Sequence, residues 1–134
     1  LQMLDRRDAA LEAIAIIPKQ ASISADTPLL PLLAQREVAI RFPKHISYRD
    51  RDGELQTVDW ILAFPGYYSP LSPVFDREHN QQRSIRRELK KLTDSDRYQL
   101  VQCRAGTVVL QRKRDGRGSE LNRLDSLETC PWLE

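Results

Sequence analysis

Apolar and polar positions alternate between two rhythms along this chain, and the changes of rhythm divide it into elements. In residues 5 to 17, DRRDAALEAIAII, Ala10, Ile14 and Ile17 recur at helical spacing, with Asp5 and Asp8 near the positive end of the dipole. Pro18 ends that helix, because its ring clashes with the preceding turn. ASISA at 21 to 25 then alternates small and β-branched residues, the pattern of a strand. Asp26 or Thr27 is placed to cap a short helix over LLPLLAQ, in which Pro28 is an early residue and Pro31 limits length. EVAIRF at 37 to 42 reads as a second strand, so residues 21 to 42 form a parallel strand–helix–strand crossover.

The next segment, KHISYRDRDGELQT, is polar and rich in turn residues, and Asp52-Gly53 favours a tight turn. VDWILAF at 58 to 64 is the most apolar stretch and predicts a central strand covered on both faces. It runs into the proline-braced loop PGYYSPLSP. SIRRELKKL at 84 to 92 aligns Ile85, Leu89 and Leu92 on one helical face, with Ser84 as its cap. YQLVQC and TVVLQRK then pair as a hairpin across RAG, where Gly106 takes the positive φ. The expected fold is α/β: a small Rossmann-like mixed sheet of about five strands, a parallel core plus a C-terminal antiparallel hairpin, with two or three helices. Residues 1 to 113 form the single domain, 1 to 18 being a lead-in helix. Residues 114 to 134 form a charged tail or loosely packed segment.

Composition narrows the function classes. The 134 residues suffice for one core, and a formal net charge of +2, from 21 basic and 19 acidic side chains, gives no global attraction to nucleic acid. The longest apolar run, AIAII, is far shorter than a membrane span. The opening LQMLDRRDAA lacks an initiator methionine and a leader, which reads as a piece of a longer protein. Cys103 and Cys130 fit no metal spacing. A single disulfide is open to them in an oxidising compartment, whereas Cys103 alone reads as a buried, inert strand residue.

Candidate chemistry is sparse. Arg83, Arg86, Arg87, Lys90 and Lys91 make a basic run, but Glu88 interrupts it and no aromatic residue interleaves, so it reads as a solvated helix face. Asp76, Glu78 and His79 lack ligands converging from another element, and no metal is expected. Asp59 with Glu88 and Lys90 resembles a nuclease triad only in letters, since Glu88 and Lys90 fall on a predicted helix. Ser22, Ser24, Ser69 and Ser72 lack a nucleophile elbow, and the five glycines form no phosphate loop. No catalytic residue and no cofactor are therefore expected. The better surface is FPGYYSP, which leaves the C-terminal end of the central strand, where open α/β sheets bind ligands. Tyr67 and Tyr68, with Trp60 and Asp59 from the strand, are the candidate ligand-binding residues; the plain alternative is a rigid loop whose tyrosines cover the core edge.

The stretch AALEAIAIIPKQASISADTPLLPLLAQREVAIRFP resembles the soluble C-terminal region of bacterial polytopic predicted membrane proteins of unknown function, a family related to the C-type integral-membrane glycosyltransferases. The resemblance is carried by Ile17-Pro18, Ala21, Ser22 to Ala25, Leu30-Pro31, Leu33, Arg36 and Phe42-Pro43. Asp59-Trp60-Ile61-Leu62 and the closing hairpin extend it over roughly residues 9 to 113. Leu32 departs from the pattern where it often has histidine, and Phe64 where a second aspartate follows the strand. The resemblance implies an accessory, non-catalytic domain on the extracytoplasmic side of a membrane-associated parent. Its implied partners are the membrane-spanning portion of the same chain and a glycan or lipid-linked sugar, with no nucleic acid. The alternative is a free-standing cytoplasmic α/β ligand-binding or protein-interaction module.

Overall fold

The computed structural model describes residues 2–68, 76–113 and 130–133. Helix α1 (Gln2–Ala15) is followed by strand β1 (Ile23–Asp26), the 3-10 helix η1 (Thr27–Leu33) and strand β2 (Ala39–Phe42). Strands β3 (Ser47–Arg49) and β4 (Leu55–Thr57) precede the central strand β5 (Trp60–Ala63). The 3-10 helix η2 (Pro65–Tyr68), helix α2 (Asp76–Asp94), strands β6 (Tyr98–Arg104) and β7 (Thr107–Arg112) and a last 3-10 turn, η3 (Pro131–Leu133), complete the described elements.

The main sheet runs β2-β1-β5-β7-β6. β1 is parallel to both β2 and β5, whereas β7 pairs antiparallel with β5 and with β6. This is the mixed sheet expected from the sequence: a parallel core closed by a hairpin. Alternation along β5 serves two cores. Trp60, Leu62 and Phe64 face Ala10, Ala13, Ile17, Leu29 and Leu33 from α1 and η1. Ile61 and Ala63 face Ile85, Leu89 and Leu92 from α2. The alanines of α1 let its backbone lie close against the sheet.

The crossover from β1 to β2 contains no α-helix. Pro28 sits at its start and Pro31 inside it, and the interior proline removes an N–H and blocks an α-helical turn, leaving the 3-10 form. Arg36 closes the unit back onto α1, donating from Nη1 to the Pro18 carbonyl (2.6 Å) and from Nη2 to that of Ile17 (3.2 Å). Both carbonyls lie just past the end of α1, on the link to β1, and that of Pro18 also accepts the Ala21 N–H (3.1 Å).

Three expectations are corrected. The polar segment after β2 holds the antiparallel pair β3–β4. Asp50 builds its turn by accepting from the backbone N–H of Asp52 and Glu54 (both 2.9 Å) and from Gln56 Nε2 (3.0 Å). These bonds, led by the one from Glu54, hold the Asp50 carboxyl below its ordinary pKa. Helix α2 starts at Asp76, so Ser84 lies inside it and is not its cap. Its early turns are polar, and Gln82, donating to the Pro65 carbonyl at 2.9 Å, replaces an apolar anchor there. Third, Cys103 is no free thiol: it is bonded to Cys130, with Cα atoms 5.8 Å apart. Residues 130–133, within the stretch expected to be a charged tail or loosely packed segment, lie against the core: Trp132 and Leu133 pack beside α2 and Arg86 lies 5.7 Å from the Trp132 ring centroid.

Tyr98 joins the hairpin to the strand before it. Its hydroxyl donates to the Val58 carbonyl at 2.6 Å and its side chain is 1% exposed. Burial, the leading cause, pushes the phenol from its ordinary 10.0 up to about 12. Between those values the native chain keeps a proton that the unfolded chain loses, so stability falls as pH rises through this window. Tyr98→Phe should lower stability at neutral pH by about 1–2 kcal/mol, since the Val58 carbonyl loses its donor. It should also flatten the alkaline decline. Urea midpoints measured at successive pH values check both effects, and an unchanged alkaline slope would refute the second.

Candidate functional site

β1 and β5 are parallel neighbours whose chains leave in opposite directions, η1 toward β2 and η2 toward α2. A crevice outside the carboxyl ends of such strands is the usual ligand position of open α/β sheets. Asp26, fully buried, ties the two ends together. Its Oδ1 accepts the Thr27 N–H (2.8 Å), capping η1 as expected, and its Oδ2 accepts the Phe64 N–H (3.3 Å). A carboxylate there supplies the acceptors that two chain ends otherwise lack.

Between η1 and η2 lies an opening of about 190 Å³. Ala10, Leu29 and Phe64 form its floor, Pro28 and Leu32 one wall, and Arg7 and Tyr67 the polar rim. Leu32 and Tyr67 are 45% and 39% exposed, a combination that offers apolar surface to an incoming molecule. The Tyr67 ring stands 5.9 Å from that of Phe64, tilted by 58°. The position of η2 is set by a backbone contact: the Gly66 N–H donates to the Gly106 carbonyl at 3.1 Å. Gly106 and Ala105 are the two positive-φ residues of the β6–β7 turn.

The sequence-derived candidates divide across the domain. Tyr67 lies at the crevice; Tyr68 is on the same 3-10 helix, its side chain outside the described residues. Trp60 lies on the same face of the sheet but is 7% exposed, enclosed by the α1-side core. Asp59 precedes the opposite end of β5, about 16 Å of extended chain from Phe64. There it accepts an ion pair from Arg112 at 3.3 Å, and its N–H donates to Ser22 Oγ at 2.9 Å. Pattern reading missed Arg7 and Leu29 as crevice residues. Only the crossover topology brings residues that far apart in sequence to one opening. Among the described residues no group of three potential metal ligands converges; the side chains of Asp76, Glu78 and His79 lie outside them.

A family model described as Predicted membrane protein (DUF2079) matches residues 1–109. The chain belongs to this family. No curated protein and no solved structure matches it. The family match covers α1, the whole β2-β1-β5 parallel layer and most of the hairpin, and therefore every residue of the crevice. Among the described residues no helix is long and apolar enough to cross a membrane. Leu32 and Phe64 both line the crevice.

Proposed function

We propose that this chain is a non-catalytic, extracytoplasmic accessory domain of a glycosyltransferase-like membrane protein, and that its crevice seats the apolar face of a glycan or of a lipid-linked sugar. The observation that carries the placement is the Cys103–Cys130 disulfide within a member of a predicted membrane protein family. Disulfides persist in oxidising compartments and are rare where thiol buffers operate, which favours the outer side over a cytoplasmic interaction module. The crevice supports the ligand class. Tyr67, Leu32 and Phe64 supply the flat apolar contact a sugar ring or isoprenoid stem needs, while Arg7 at the rim suits a phosphate.

Placement is tested by alkylating free thiols in intact cells at harvest, then mapping peptides of the full membrane protein without reduction. A linked Cys103–Cys130 peptide is the expected product, and alkylation of both cysteines would sink the reading. For the crevice, replacing Tyr67 and Tyr68 together with alanine should weaken oligosaccharide binding at least about tenfold, the loss expected when an aromatic contact worth roughly 1.4 kcal/mol is removed. The melting temperature should move only a few degrees, because Tyr67 is partly exposed. Retained affinity, or a collapse of stability, would instead assign the tyrosines to packing.

A further inference from the structure

A second opening lies on the other face of the sheet, between the exit of β2 and the flank of α2. It measures about 260 Å³ and is lined by Arg41, Lys44, Gln81, Ser84 and Glu88, with Pro43 between the two cations. Among the described residues, none of those five polar side chains takes part in a hydrogen bond or ion pair. Elsewhere the described polar groups are well supplied: no buried side-chain nitrogen or oxygen lacks a partner.

The arrangement around the cleft is chemically ordered. Arg41 and Lys44, both exposed, line the cleft from the strand exit and bring two positive charges to its edge. Gln81, Ser84 and Glu88 recur at i, i+3 and i+7 and so share one side of α2, beside the buried stripe of Ile85, Leu89 and Leu92. That side offers an amide, a hydroxyl and a carboxylate, groups that accept from and donate to hydroxyls. Exposed Arg83 and Arg87 on the same helix add positive potential that draws anions toward the cleft. The volume lies just below the roughly 300 Å³ lower end of drug-sized pockets, so a small occupant fits.

We propose that this cleft binds a small polyol phosphate, with Arg41 and Lys44 on the phosphate oxygens and Gln81, Ser84 and Glu88 on neighbouring hydroxyls. A lone anion would leave the carboxylate of Glu88 opposing it; a hydroxylated phosphate turns that carboxylate into an acceptor for an O–H. The site is separate from the apolar crevice and does not depend on it, since the two lie on opposite faces of the sheet.

The test is calorimetric titration of the full chain with sn-glycerol 3-phosphate, glycerol and inorganic phosphate. Glycerol phosphate should bind more tightly than either half. Arg41→Ala with Lys44→Ala should weaken it at least about tenfold, in keeping with the loss of charge-assisted hydrogen bonds. Glu88→Gln should leave inorganic phosphate binding intact or improved. Melting curves of the variants should match the parent, because the altered side chains hold no partner in the fold. Co-sedimentation with phosphatidylglycerol vesicles, against pure phosphatidylcholine, separates the sources. Retention that requires Arg41 and Lys44 identifies a lipid headgroup, and binding of soluble glycerol phosphate without retention identifies a free metabolite; either supports the site. No binding of any probe, equal affinity for inorganic phosphate, or binding and retention indifferent to the double substitution would overturn it.

Discussion

Cys103→Ser with Cys130→Ser should lower the melting temperature by roughly 10 °C, the largest change expected from any single feature of this fold. The bond joins residues 27 apart in sequence. In the chain-entropy view, a closed loop of that length restricts the unfolded ensemble by about 3–4 kcal/mol. The native side loses something too, because the bond is what returns residues 130–133 to the core. Without it, Trp132 and the Arg86 contact over its ring rest on a short 3-10 turn and on the bond from Arg86 Nη2 to the Pro131 carbonyl (3.3 Å). Calorimetry of the oxidised parent and the double variant measures the loss, and the emission of Trp132 should shift to the red in the variant if the segment undocks. An unchanged melting temperature would mean that η3 holds itself in place and that the crosslink is incidental.

Gly66→Ala should destabilise the domain by about 1–3 kcal/mol, the range for forcing extra atoms into a packed site. A Cβ at Gly66 would stand 2.6 Å from the Gly106 Cα, and one at Gly106 would stand 2.9 Å from the Gly66 Cα. Both neighbours are backbone, so no side chain can swing aside. Relief requires η2 to move away from the hairpin turn, breaking the bond from the Gly66 N–H to the Gly106 carbonyl. Because Tyr67 follows directly, the same movement should also disturb the crevice. Gly106→Ala carries an added penalty, since its φ of 84° lies in the left-handed region that side chains avoid. Urea midpoints give the stability change. A Gly66→Ala protein as stable as its parent would show that the close approach between the two turns is not required.

The parts of this fold that could be read in advance are those in which one local cause dominates. β5 and β7 announce themselves as apolar runs, Pro18 stops the lead-in helix, and Gly106 marks the hairpin. Harder to see were elements built from polar groups. The β3–β4 turn rests on one carboxylate, Asp50, whose three acceptor bonds leave no hydrophobic signature. The early turns of α2 are anchored through Gln82, which pattern reading treats as surface. The candidate site was legible as a loop and not as a set of residues. Tyr67 leaves the central strand at the end where ligands gather in such sheets, and it lines the crevice. Trp60 offers a ring, but β5 is buried on both faces, and in such a strand period two cannot separate an exposed aromatic from an enclosed one. Arg7 comes from the far end of the chain, and no spacing rule reaches it.

The outer strands carry one more consequence. β2 is only four residues long and ends at Pro43, which has no N–H to offer a neighbour. β6 shifts register between Leu100 and Gln102 and finishes at exposed Arg104. Short length, proline, an irregular ladder and terminal charge are the devices that keep a sheet from zipping onto a copy of itself. Both margins of this sheet are blunted in that way, so crowding many such domains together on one surface should not drive them into fibrils.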